Sequence, residues 1–109
     1  MAGEANVFAV EDRRRGRYGL IYLEDIDHDD FRALPSGAKL VYFALLPFAA
    51  AATGRAYPKA ETLARITGLS VRTVRRATAD LEGAGFIEVS KKHLSEWRRV
   101  NLYTLIGKV

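Results

Sequence analysis

The segment "TGLSVRTVRRATADLEGAGFIEV", Thr67–Val89, constrains the fold more tightly than any other stretch of the chain. Upstream of it, Leu63, Ala64 and Ile66 give an apolar side to a helix over about Lys59–Thr67. Gly68 ends that helix as a left-handed C-terminal residue does. Ser70 is then an N-cap for a further helix running to about Glu82, with Gly83 and Gly85 ending it. On a helical wheel Val74, Ala77, Thr78 and Leu81 gather on one side. Arg72, Arg76 and Ala79 lie opposite, with Arg75 on their flank. Two helices joined by so short a turn must share a buried face, and the arginines are thereby turned outward.

The remaining elements follow from periodicity and breakers. From Ser36, the residues Leu40, Phe43, Ala44, Pro47 and Phe48 recur at helical spacing, and Pro47 is expected to kink or split that helix. Gly54 ends it, Ala56–Tyr57 is a short extended piece, and Pro58 stands near the next helix start. After the arginine-bearing helix, "FIEVS" alternates as a strand, "KKHLSEWRR" reads as a charged loop, and "VNLYTLIG" reads as a second strand. The fold class expected is therefore mainly α with a small β-hairpin. In "NVFAVEDRRRGRYGLIYLED", Asn6–Glu11 and Tyr18–Leu23 are β-prone runs that pair as a hairpin or add to a partner's strand. "DIDHDDFRAL" is acidic and then briefly helical, with Asp27 or Asp29 as cap. We divide the chain into an N-terminal β-prone extension, 1–30, and one domain, 31–109.

Charge is distributed unevenly. The net charge is +4, but residues 1–30 hold eight acids and four arginines, giving −4, while residues 31–109 hold thirteen Lys/Arg and five acids, giving +8. A basic body of this kind calls for a polyanion, with nucleic acid ahead of an acidic membrane surface. There is no cysteine, which excludes disulfides, thiolate metal sites and cysteine nucleophiles. The longest apolar run, "LVYFALLPFAAAA", is too short to span a bilayer, and no secretory signal opens the sequence. A cytoplasmic, DNA-associated protein without membrane attachment is expected.

Two helices joined by the four-residue turn Gly68–Val71 form a helix-turn-helix, a motif whose second helix enters the DNA major groove N-terminal end first. The forked donors of arginine match guanine O6 and N7 and also reach phosphates. Thr73 reaches a base edge or a phosphate. Ser70 offers its hydroxyl or the amides it caps to a phosphate. Lys91, Lys92, His93, Arg98 and Arg99 crowd a hairpin tip, where like charges repel unless phosphates intervene. Trp97 packs back onto the domain, meets a sugar-phosphate edge, or joins a dimer interface. His93 is a phosphate neighbour or plain surface, since no second metal-binding residue stands at a suitable spacing.

With these residues in view, "YPKAETLARITGLSVRTVRRATADLEGAGFIEV" resembles the core of the winged helix-turn-helix superfamily, through its Leu63-Ala64, Thr67–Ser70, Thr73-Val74, Leu81, Gly85 and Ile87 skeleton. "RRVNLYTL" and "LPSGAKLVYFALL" are similar to the corresponding domains of plasmid and phage replication initiators, and the skeleton is shared with GntR- and MarR-type regulators. The resemblance implies a three-helix core with a β wing, working as a DNA-bound dimer. Its recognition helix is Ser70–Glu82, with Arg72, Thr73, Arg75 and Arg76 as readers, and its wing is Lys91–Arg99. Met1–Asp30 departs from the shared pattern. Initiators are also usually longer, which favours a compact repressor, partition or accessory DNA-binding protein. The unusually apolar stretch Leu40–Ala52 points to a homodimer formed through the N-terminal segment, the first long helix, or both.

Other motifs carry less. Arg13, Arg14, Arg15 and Arg17 are either a DNA arm entering the minor groove or exposed arginines on a hairpin turn. Asp25, Asp27 and Asp29 alternate as in a calcium loop, but Asp30 replaces the required glycine and Ser36 the closing glutamate, so that reading is rejected. No phosphate-binding loop and no nucleophile–base set is present, so neither an enzyme nor a cofactor or metal site is expected. Competing with sequence-specific binding are nonspecific DNA coating and a winged-helix adaptor for a protein partner, engaged for instance through the N-terminal segment.

Overall fold

A computed structural model of the chain describes residues 12–16, 18–49, 55–95 and 98–107. Two single-turn helices come first, α1 (Leu23–Ile26) and α2 (Asp29–Arg32). The helix α3 (Ser36–Leu45) runs into a 3-10 turn, Leu46–Phe48. Then come β1 (Arg55–Ala56), α4 (Ala60–Thr67), α5 (Val71–Gly83), β2 (Ile87–Ser95) and β3 (Arg98–Leu105). The long strands β2 and β3 form an antiparallel hairpin, and the two-residue β1 pairs with the other side of β3. The architecture is mainly helical with a small antiparallel sheet.

The core lies between α3, α4, α5 and the base of the hairpin. Val41 and Leu45 of α3, Leu63 of α4, and Val74 and Leu81 of α5 are completely enclosed, as are Phe86 and Ile87. Phe31 ties α2 into this core: its ring meets Tyr42 and Phe86 edge-on at 5.5 Å each, a favoured aromatic geometry. Asp25 is buried beside this cluster, and burial, followed by the Asp25 charge, holds the Tyr42 phenol above its ordinary range. Each fully buried aliphatic or aromatic side chain contributes about 1.5–3 kcal/mol, so this set dominates the stability of the domain.

Several expectations are corrected by the packing. Pro47 does end the α-helix, which passes into the 3-10 turn at Leu46. However, the buried face of α3 is Ala38, Val41, Tyr42 and Leu45, while Leu40 and Phe43 remain 46% and 40% exposed. From Leu40 onward the run is apolar, and its outward side is marked only at the start of the helix, by Ser36 and Lys39, which share a face with Leu40 and Phe43. Ile66 is exposed rather than buried, because α4 turns Leu63 inward and Leu69, beyond the glycine, packs against the core instead. The expected strand at Tyr18–Leu23 does not form. Leu23 starts α1, whose Asp25 N–H donates to the Tyr22 carbonyl at 3.0 Å. Tyr18–Tyr22 has no ladder partner among the described residues, and Gly19 instead presses its backbone against Leu46, where a Cβ would overlap the carbonyl. The proposed partner strand Asn6–Glu11 lies outside the described residues.

Two further corrections concern turns. The cap of α2 is His28, whose Nδ1 accepts from Asp30 N–H at 3.0 Å, rather than Asp27 or Asp29. Those two carboxylates each take a 2.7 Å hydrogen bond from Arg32, which holds Asp29 below the ordinary carboxylate range. The charged run "KKHLSEWRR" is also mostly strand and not a loop: β2 continues through Lys91–Ser95 and β3 begins at Arg98, while positions 96–97 lie outside the described residues.

Gly85, not Gly83, terminates α5. Gly83 is the last helical residue, with open space where a Cβ would stand, whereas Gly85 has a φ of 86°. Phe86 N–H bonds to the Leu81 carbonyl and Gly85 N–H to the Glu82 carbonyl, both at 3.0 Å, which is the Schellman arrangement. Gly83→Ala should therefore raise stability by about 0.5–1 kcal/mol, and Gly85→Ala should lower it by about 1–2 kcal/mol. Urea unfolding of the two variants checks this opposition of sign.

Candidate nucleic-acid interface

The turn between α4 and α5 is held by side chains that the local sequence supplies. Thr67 Oγ1 donates to the Leu63 carbonyl at 2.7 Å and accepts the Leu69 N–H at 3.3 Å. Gly68, at φ 76°, closes α4 with its N–H on the Ala64 carbonyl. Ser70 then caps α5: its Oγ accepts the Thr73 N–H at 3.0 Å and donates to Thr73 Oγ1 at 2.9 Å. The Ser70 hydroxyl is thus engaged within the protein, and its direct effect falls on Thr73. The Thr73 methyl faces Gly37, where an added Cβ would lie 3.5 Å away. The start of α3 therefore abuts the start of α5.

With its buried stripe of Val74, Ala77 and Leu81 set against α3 and α4, α5 presents Arg72, Thr73, Arg75 and Arg76 to solvent. Arg72 and Arg76 are one turn apart and share a face. Among the described residues none of these three arginines has an ion-pair partner. They sit in the N-terminal half of a helix of 13 residues, about 20 Å long. Arginine guanidinium groups held outward on a rigid helix are suited to bidentate bonding with guanine edges or phosphates.

The second basic group extends from the core end of the hairpin. Val89 and Tyr103 are the last paired positions of which both pack on the core. Beyond them Lys91 pairs with Asn101, Lys92 with Val100, His93 with Arg99 and Ser95 with Arg98, with an irregularity between His93 and Ser95. Lys91 is exposed. Asn101 is also exposed, and its Nδ2 donates to the buried Tyr103 hydroxyl at 3.4 Å. The five basic positions named from sequence are thus distributed over two paired strands. Trp97 lies outside the described residues.

The N-terminal arginines occupy a different region. Arg13, Arg14 and Arg15 are exposed, and Arg17 lies outside the described residues. Arg14 forks onto Asp12 through Nε at 2.9 Å and a terminal nitrogen at 2.8 Å, which holds the Asp12 carboxyl well below its usual range. Arg14 and Arg15 line a groove with Tyr18, Phe43, Leu46 and Pro47, at the end of α3 farthest from Gly37. A ten-residue helix separates these ends by about 15 Å, so the structure does not bring these arginines to the start of α5.

Glu82 was not singled out from sequence. Its carboxylate accepts the Val89 N–H at 3.0 Å, linking the last turn of α5 to β2. No local pattern announces such a bond, because it exists only once Gly85 has folded the strand back beside the helix. Among the described residues there is no group of acidic or histidine side chains that could hold a metal, and no helix is long and apolar enough to cross a membrane.

A comparison with family models places this geometry. The model described as a helix-turn-helix domain matches residues 32–87, slightly more than half of the 109-residue chain. Its span runs from the end of α2 to the first residue of β2, so it contains α3, α4 and α5 and leaves out nearly all of the hairpin. No curated protein and no solved structure matched the chain. The match and the arrangement of α4, its glycine turn and α5 lead to one assignment: the chain belongs to the helix-turn-helix domain family.

Proposed function

We propose that the protein is a sequence-specific reader of double-stranded DNA that acts as a homodimer. The observation carrying this reading is the outward face of α5, where Arg72, Arg75 and Arg76 stand exposed behind a capped N-terminus and opposite a fully buried stripe. In this reading α5 lies in the major groove, with Arg72, Thr73, Arg75 and Arg76 towards the base edges. Ser70 acts by capping the helix and by bonding Thr73. The hairpin serves as a wing, with Lys91, Lys92, His93, Arg98 and Arg99 on adjacent phosphates or at the minor groove. The register brings basic positions on β2 and β3 to the same arm of the hairpin, where a phosphate would balance their charge. The role served is transcriptional regulation, or replication or partition of a plasmid or phage.

The homodimer rests on apolar surface that the domain leaves open. Leu40 and Phe43 on the outer side of α3 are exposed, as are Tyr18, Leu20, Ile21, Tyr22 and Leu23. A second copy joined there would repeat the α5 surface about a two-fold axis, as paired half-sites on DNA require.

Arg72→Ala and Arg76→Ala should each weaken binding to the preferred sequence by about 1–3 kcal/mol and relax selection at one base position. Lys91→Ala and Lys92→Ala should weaken binding to all duplexes alike and each reduce the salt slope by about 1. Fluorescence titrations on specific and random duplexes across a salt series make both comparisons, and equal losses on the two duplexes for every variant would remove the base-reading assignment. Sedimentation at micromolar concentration should show a dimer that the double substitution Leu40→Glu, Phe43→Glu converts to a folded monomer. A wild-type chain that stays monomeric with and without DNA would exclude the homodimer.

A further inference from the structure

The carboxylate of Glu82 stands where electrostatics disfavours it twice. It lies in the last turn of α5, at the negative end of the helix dipole. It also shares a domain with two basic surfaces that, on the DNA-binding reading on which this inference rests, face a polyanion. Its hydrogen bond to Val89 N–H is therefore the feature to explain.

The sheet pairing shows what that bond does. Phe86 accepts from Ile106 N–H at 3.0 Å, so in the antiparallel ladder positions 86, 88 and 90 bond across to β3. Val89, paired with Tyr103, belongs to the alternate set and turns its N–H away from β3. Among the described residues the strand order β1-β3-β2 leaves that side of β2 as a sheet edge, without a neighbouring strand. Glu82 satisfies this edge donor and ties the end of α5 to β2 two residues before Lys91. The turn at Gly85 and the packing of Phe86, Ile87, Val89 and Tyr103 on the core hold the base of the hairpin. The Glu82 bond adds a polar tie on the outer side of β2 at Val89, beyond which, among the described residues, no paired positions both pack on the core.

We propose that Glu82 is a positioning residue for DNA binding: by accepting the Val89 N–H it fixes the angle at which the basic hairpin leaves the recognition helix, so that both surfaces meet one duplex. The helix and the hairpin then engage DNA as one preorganised unit, and the ordering of the hairpin is completed before binding.

The test compares Glu82→Gln with Glu82→Met. The two side chains are matched in length, helix propensity and lack of charge, and only glutamine keeps a strong acceptor. Binding is titrated on a labelled mixed-sequence duplex across a salt series, with thermal unfolding of each variant as a control for folding. Glu82→Gln should bind at least as tightly as wild type, because the acceptor is kept while a negative charge on a DNA-binding domain has gone. Glu82→Met should bind roughly threefold to tenfold more weakly than Glu82→Gln, with a shallower salt slope. Exchange of the Val89 amide hydrogen should quicken in Glu82→Met alone. In a Lys91→Ala, Lys92→Ala background the difference between the two variants should shrink or vanish, because the contacts being positioned are gone. Equal affinities and salt slopes for the two variants, or a difference undiminished in that background, would overturn the positioning role while leaving DNA binding intact. Absence of duplex binding by the wild type would instead overturn the DNA-binding reading, and the role of Glu82 with it.

Discussion

Two backbone hydrogen bonds, from Phe86 to the Leu81 carbonyl and from Gly85 to the Glu82 carbonyl, close the last turn of α5. Both need a left-handed residue at position 85, which glycine adopts without a Cβ clash. This turn delivers the Phe86 ring into the aromatic cluster with Phe31 and Tyr42, and it starts β2 in register with β3. The length of the arginine-bearing helix, the closure of the core and the departure of the basic hairpin all depend on it. The glycine at 68 does the corresponding work at the other end, where Thr67 and Ser70 complete the turn with their side chains.

The central part of the fold was legible because its signals are local. A left-handed glycine, a serine cap and a helical stripe each act within a few residues. The glycine and the cap are present as read, and of the stripe Val74, Ala77 and Leu81 are buried while Thr78 is half-buried, its hydroxyl donating to the Arg75 carbonyl. The outward placement of Arg72, Arg75 and Arg76 followed from the same stripe. Errors arose where a choice depended on distant partners. Helix α3 is apolar from Leu40 onward, with only Ser36 and Lys39 at its start marking the outward side, and packing against α4, α5 and Phe31 turns Val41 and Leu45 inward while Leu40 and Phe43 stay exposed. Tyr18–Leu23 has β-prone residues, but a strand needs a ladder, and the chain there lies against Leu46 instead.

The candidate site shows the same division. The exposure of its arginines and the Ser70 cap were legible from sequence, but the Ser70 hydroxyl bond to Thr73 Oγ1 was not, since it depends on how the Thr73 side chain is turned. The charged run after Val89 was read as a loop because its composition is polar. In the fold, pairing with β3 extends the strand regardless, a case of tertiary context overriding propensity. Glu82 escaped notice for a similar reason: a glutamate in a helical pattern looks like solvated surface until the edge of β2 arrives beside it. The resemblance to a winged fold covers the hairpin as well, whereas the family match ends at Ile87. The hairpin's contribution to binding is therefore argued from its register and charge.

The most direct test of the central claim is selection of bound sequences from a random pool of duplex DNA at near-physiological salt, where nonspecific phosphate binding is weakened. The account predicts an enriched motif with two symmetric half-sites, whose spacing reports how two copies of α5 are held. Retention of DNA without any enriched motif would contradict base reading and make the protein a coating factor. No retention at all would contradict DNA binding by this domain.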